Sequence, residues 1–167
     1  MSGKPDRSSS HDVTLRLAPA NDAPAIAFLL AEAFDEYRQL YTPEGFAATA
    51  ITAAEVAARI SNGPIWVAVR ETVIVGTISV VRKQNSLYVR GMAVHPKARG
   101  RRIGERLLSE IEHYAAEKGI RRLFLSTAPF LDRAIRLYEK QGYRRTDGGP
   151  DNLFGTPLFT MEKFLPD

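Results

Sequence analysis

The chain has 167 residues, 44% of them hydrophobic, no cysteine, a formal net charge of +4 and a pI of about 9.5. That length and apolar content suit one domain with a real core, and the absence of cysteine excludes a disulfide framework, a thiolate zinc site and a cysteine nucleophile. Much of the positive charge falls in Arg99-Gly100-Arg101-Arg102, Arg121-Arg122 and Arg144-Arg145, which suits nucleic acid, an acidic membrane or a phosphorylated ligand, and composition does not choose among them.

In chain order, Met1 to Ser10 are polar and serine-rich and read as a disordered tail rather than a secretory signal; residues 11–167 are expected to form a single domain. No stretch is apolar enough to span a membrane, and a cytoplasmic location fits. Val13 to Leu17 alternates like a strand. Asn21 or Asp22 is placed to cap a helix with Pro24 in its first turn and Ile26, Leu29, Leu30, Ala33 and Phe34 at helical spacing. Asp35 to Ile51 is ambiguous, and a second helix is expected over Thr52 to Ile60. Ile65 to Val69 and Val73 to Val81 read as a hairpin around Arg70-Glu71-Thr72, continued by Leu87 to Val94 and ended by His95-Pro96. Ile103, Leu107, Leu108, Ile111 and Ala115 make one helical face that Gly119 stops. Arg122 to Thr127 reads as a buried strand, and Leu131 to Gln141 as a helix ended by Gly142. Thr146 to Gly155 reads as a loop, and Tyr143 to Thr146 and Thr156 to Phe164 as closing strands. The order implies a mixed α/β domain.

The most informative segment runs from Val94 to Gly104. A strand ends, a loop rich in glycine and arginine follows, and a helix begins near Ile103. The first N–H groups of a helix lack internal partners and sit at the positive end of its dipole, where a pyrophosphate can accept from them. Gly100 permits a close approach or positive φ. Gly104 leaves room against the helix, and Arg99, Arg101 and Arg102 add charge that suits phosphate. The segment is neither a P-loop nor a Rossmann fingerprint, because no Gly-Lys-Ser/Thr follows and the glycine spacing differs.

This segment resembles motif A of the GNAT family of N-acetyltransferases, with pattern Arg/Gln-x-x-Gly-x-Gly/Ala. Arg99 matches the first position, Gly104 the last, and Arg102 stands where the family has its first glycine. Met92-Ala93-Val94-His95-Pro96 resembles the strand before that loop. Ala134-Ile135-Arg136-Leu137-Tyr138 through Gly142-Tyr143, after Ser126-Thr127, resembles motif B, with Leu131 where an asparagine is common. The resemblance implies a GNAT-like acyl-CoA N-acyltransferase fold, with a mixed, mostly antiparallel central sheet and flanking helices. It implies acetyl-CoA as cosubstrate, no metal, and an amine acceptor, either a small molecule or a protein amine. Backbone groups of Met92 and Val94 are then expected to hold the pantetheine arm, with Ala93 between them counted in the cofactor site. Arg99, Gly100, Arg101, Arg102, Ile103 and Gly104 are expected to hold the pyrophosphate, with binding at Arg102 through the backbone and strain there if φ is positive.

Tyr138 admits two readings, a packed aromatic at helical spacing with Ile135 or the acid that protonates the departing thiolate. The general base is not legible. Glu32, Asp35, Glu36 and Glu44 border the expected acceptor region, but each reads as a solvated charge. His95 and His113 read as surface residues, and no metal-ligand spacing is present. Tyr41 and Phe46 are candidates for the acceptor wall. A non-catalytic acyl-CoA sensor on the same fold stands as the alternative. A nucleic-acid module finds no recognised motif, and a homodimer is left open.

Overall fold

The computed structural model describes residues 12–167, so the expected tail at 1–10 lies outside the described residues. The elements are β1 (Val13–Leu17), α1 (Ala23–Phe34), α2 (Pro43–Thr49), α3 (Ala53–Asn62), β2 (Ile65–Arg70), β3 (Val73–Lys83), β4 (Ser86–Val94), α4 (Ile103–Glu117), β5 (Arg122–Thr127), α5 (Asp132–Lys140), β6 (Arg144–Thr146), β7 (Asn152–Leu153), β8 (Thr156–Pro157) and β9 (Phe159–Phe164). The main sheet has the order β1-β2-β3-β4-β5-β9-β6, and its one parallel pair is β4 with β5. This is the mixed, mostly antiparallel sheet with flanking helices that the resemblance implied.

Alternation along the strands divides the core into two layers. Leu87, Val89, Leu123 and Leu125 face Leu107, Leu108 and Ile111 of α4. Ile65, Val67 and Ala93 face Ile26 and Leu30 of α1 and Val56 of α3. In β2 the run Ile65 to Ala68 is buried at every position, as expected of a strand covered on both faces.

Three details depart from the sequence reading. Neither Asn21 nor Asp22 caps α1 with its side chain. A 3-10 turn over Ala20–Asp22 leads into the helix instead, and Asp22 pairs with Arg16 at 2.6 Å. The ambiguous stretch forms a 3-10 turn over Asp35–Leu40 and then α2, whose N-cap Thr42 accepts from the Gly45 N–H at 3.0 Å. Thr156 to Phe164 is not one strand: β8 pairs with β7 in a small separate hairpin, and only β9 joins the main sheet. By contrast α3 starts with a full capping box, Thr52 and Glu55 each bonding the other's backbone N–H.

The feature that positions the site is a bulge in β4. Thr77 pairs with Ala93 and Ser79 with Arg90, so Ile78 alone stands opposite Gly91 and Met92. Gly91 takes φ +64, the left-handed conformation of a glycine bulge. The extra residue switches the faces of the strand. Leu87 and Val89 before it, and Met92 and Val94 after it, all pack toward α4, while Ala93 turns toward α1.

Gly91→Ala is expected to lower unfolding free energy by about 1–2 kcal/mol, the cost of holding an L-residue left-handed. An added Cβ would meet Arg59 Nη1 at 3.4 Å and Ser79 Oγ at 3.5 Å, which is little hindrance, so the loss is conformational. Urea denaturation measures it; an unchanged midpoint would mean that the bulge does not need this backbone.

Candidate active site

β4 and β5 pair only where Ser86 to Tyr88 meets Arg122 to Phe124. Beyond that, β5 stays with β9 through Thr127 and β4 leaves it. The His95 N–H donates to Val75 O at 2.8 Å, so residue 95 faces β3. Strand alternation then turns the N–H and C=O of Val94 and Met92 the other way, toward the edge that β5 has vacated. An unpaired edge is a template for another extended chain.

This edge forms one wall of a cavity of about 760 Å³. Met92, Ala93, Val94, Arg99, Gly100, Arg102, Ile103, Gly104 and Tyr138 all line it. Of the cofactor-binding residues expected from the sequence, Arg101 alone does not; it is exposed. Ser126 to Ala128, Leu131 and Leu137 close the opposite side.

The loop meets α4 in the strained manner expected. Gly100 has φ +84, and Arg102, the N-cap residue, has φ +58 and ψ 24. The first helical bond is from Arg106 N–H to Arg102 O at 3.1 Å, and no side chain caps the end. The N–H groups of residues 103–105 therefore precede the helical ladder and face the cavity end, an arrangement that suits an anion.

Electrostatics here differ from the sequence reading. Arg99 is ion-paired with Glu36, and His95 Nε2 is hydrogen-bonded with Glu32 Oε2. His95 is thus a half-buried partner rather than a surface residue, and neither glutamate is merely solvated. These pairs tie α1 and the turn after it to the loop, and they leave Arg99 less charge to offer phosphate. Glu105, in the first turn of α4, is paired with Lys140 of α5 at 2.9 Å, which offsets a negative charge that would otherwise oppose an incoming anion.

Gly104 serves packing as well as access. It is buried, and a Cβ there would lie 2.6 Å from Leu137 Cδ2. Its missing side chain lets α5 close against α4, a packing role that the sequence reading did not include, and Gly104 lines the cavity as well.

Tyr138 is buried, with its ring centroid 5.8 Å from that of Tyr143. Burial first, and the nearby Tyr41 second, raise its pKa from the ordinary phenol value, so it keeps its proton at neutral pH. Tyr41 also lines the cavity, and burial pushes its pKa up to about 12. Phe46 does not line the cavity: it lies behind Tyr41 with centroids 6.0 Å apart, and Phe130 stands edge-on to Tyr41 at 4.9 Å.

Sequence reasoning missed Gly91, Arg59 and Arg90, the two arginines also lining the cavity. A glycine inside a strand pattern was the available signal for the bulge. Arg59 had none, since it reads as an ordinary charge on an amphipathic helix.

Two stability measurements test this geometry. Gly104→Ala should cost about 1–3 kcal/mol through overlap with Leu137, and a double-mutant cycle with Leu137→Ala should return a coupling of at least about 1 kcal/mol; additive effects would contradict the contact. Arg102→Gly should leave the fold intact and raise stability by up to about 1 kcal/mol, because relief of left-handed strain exceeds the added freedom of the unfolded chain. A clear loss on chemical denaturation would mean that the Arg102 side chain holds the loop.

The comparisons agree with this architecture. The model of the Acetyltransferase (GNAT) family matches residues 26–143. A Bacillus subtilis (strain 168) protein called uncharacterized N-acetyltransferase YhfO is 31% identical over 146 residues, 81% of this chain and 93% of that one. The IAA acetyltransferase of Azospirillum brasilense is 40% identical over 92 residues, 54% of this chain, and the match spans only 59% of that relative's length. Among solved structures, PaiA N-acetyltransferase from Thermoplasma acidophilum, in complex with coenzyme A, superposes with a TM-score of 0.80 at 19% identity, covering 92% of this chain and 99% of that one. YncA from Salmonella typhimurium, with acetyl-CoA, gives 0.73 at 21% identity over 93% and 95% of the two chains. With a family model matching well over half of its length, the chain belongs to the GNAT family of acetyltransferases.

Proposed function

We propose that this chain, with residues 11–167 acting as one domain, transfers an acetyl group from acetyl-CoA to a primary amine by direct attack while both substrates are bound. The observation that carries this reading is the vacated edge of β4 leading into the uncapped start of α4, with Tyr138 lining the same cavity. In this reading the N–H and C=O groups of Met92 and Val94 pair with the pantetheine amides as a strand would. The N–H groups of residues 103–105 hold the pyrophosphate, helped by the helix dipole. Acetyl-CoA supplies the activated acyl carbon, and the chain aligns the amine with it. The C–S bond breaks as the C–N bond forms, and the proton shed by the nitrogen passes to solvent. The chain provides a proton for the departing sulfur and regains it from solvent.

Tyr138 is the group in place for that proton. Its raised pKa makes it a weak acid, and donation to a thiolate in water would run uphill. The same burial disfavours a bare thiolate in the cavity, which narrows the gap and favours a phenol that donates a hydrogen bond as charge develops on sulfur. A metal plays no part in this reading, and among the described residues no group of three or more His, Asp or Glu is gathered to hold one.

Tyr138→Phe should lower kcat by about 10²-fold, the low end for loss of a positioned acid, while acetyl-CoA affinity by calorimetry stays within about twofold because the ring remains. Wild-type kcat in a folded variant would return Tyr138 to packing alone. Tight acetyl-CoA binding without turnover of any amine would favour the sensor over the enzyme.

A further inference from the structure

Arg59 of α3 and Arg90 of β4 line the cavity on the α1 and α3 side of the bulge. Arg59 Nη1 lies 3.4 Å from where a Gly91 Cβ would be, so the residue that lacks a side chain makes space for this guanidinium. The two cations are close enough to oppose each other: burial first, and the charge of Arg90 second, lower the pKa of Arg59. Neither makes a side-chain hydrogen bond or salt bridge among the described residues, and Arg90 Nε is buried with no partner.

Several other arginines among the described residues are paired with carboxylates, Arg99 with Glu36, Arg122 with Glu162 at 2.8 Å and Arg16 with Asp22. The carboxylate that acts on Arg59 is Glu55, which is already engaged with Thr52 in the capping box. Two like charges at the wall of a cavity, one with a buried N–H unsatisfied, are unfavourable unless a ligand supplies the missing anion. Guanidinium groups match planar or tetrahedral oxyanions through paired donors.

Arg90 and Met92 flank the bulge at Gly91 and line the same cavity, and two residues of chain keep their backbones no more than roughly 7 Å apart. An anion held by Arg90 would thus lie only a few bonds from a nitrogen placed beside Met92 and Tyr138. We infer that Arg59 and Arg90 read an anionic group on the acceptor, and that the acceptor is a small amine carrying its own carboxylate or phosphate a few bonds from the reacting nitrogen. The inference rests on the acetyl-transfer reading above and narrows it. Polyamines are disfavoured as acceptors by the same two cations.

The test starts with acetyl-CoA calorimetry, because failure there sinks acetyl transfer itself and not merely the acceptor class. Matched acceptors follow: phenylalanine beside 2-phenylethylamine, and phosphoethanolamine beside ethanolamine. The anionic member of at least one pair should show a kcat/KM at least about tenfold higher, and which pair does so separates carboxylate from phosphate. Arg59→Gln and Arg90→Gln should each collapse that ratio toward one with acetyl-CoA affinity within about twofold, and Arg90→Lys should restore part of it. Neutral members turned over as well or better, or a parallel loss of acetyl-CoA affinity in the glutamine variants, would overturn the assignment. Should no member turn over while acetyl-CoA binds, the CoA-saturated protein is titrated with N-acetylphenylalanine, N-acetyl-2-phenylethylamine and the N-acetyl forms of the phosphate pair. At least tenfold tighter binding of an anionic form, lost in Arg90→Gln, upholds the inference; equal binding or none overturns it.

Discussion

The parting of β4 from β5 is the constraint on which the rest of the molecule depends. Two parallel strands that paired along their length would leave no edge, no cavity and no access to the start of α4. They separate after Tyr88 and Phe124, and the left-handed backbone at Gly91 inserts one residue just beyond. That insertion bends the strand and changes which side chains it presents to each face. Met92 and Val94 thereby join the layer under α4, while Tyr88 and Arg90 stay on the α1 and α3 side. In the proposed reading, one irregularity thus supplies a wall for an extended cosubstrate and a separate wall for the acceptor.

The start of α4 shows how local strain and charge are arranged around the site. Arg102 holds a left-handed conformation that glycine would adopt more readily. Its backbone keeps the turn, and the N–H groups behind it remain uncommitted. Charged side chains around this end are mostly engaged with one another: Glu36 with Arg99, Glu32 with His95, and Lys140 with Glu105. An anion at this end would therefore meet the helix terminus and the charge of Arg102 more than that of Arg99. The pairing also joins the loop to α1 and the turn after it, and the first turn of α4 to α5. The elements that border the acceptor region and those that border the loop are thereby fixed relative to each other.

The strands and helices with strong periodicity were legible in the sequence: β1 over Val13–Leu17, the meander from Ile65 to Val94, and α4 with its face of Leu107, Leu108 and Ile111. The loop at Arg99 to Gly104 was legible because a glycine and arginine run between a strand and an amphipathic helix has a local physical meaning. What was not legible depends on contacts distant in sequence. Asp22 could cap α1, but Arg16 competes for its carboxylate. Gly104 looked like space for a ligand alone, and its second role, the close approach of Leu137, comes from a residue distant in sequence. Phe46 and Tyr41 have similar aromatic character, and only the packing of Phe130 and Phe46 around Tyr41 decides which one reaches the cavity. Arg59 and Arg90 are separated by a hairpin, and nothing in either local pattern reports that they share a wall.

Amide hydrogen exchange, resolved by residue in the presence and absence of acetyl-CoA, tests the central claim most directly, because it reads the backbone groups themselves. Acetyl-CoA should slow exchange at residues 103–105, whose N–H groups lack helical partners, and at Met92 and Val94 on the vacated edge. The β1–β2 ladder, away from the cavity, should exchange as before. Binding that leaves both segments unprotected, or protects some other part of the chain, would contradict the assignment of the β4–β5 opening and the start of α4 as the cosubstrate site.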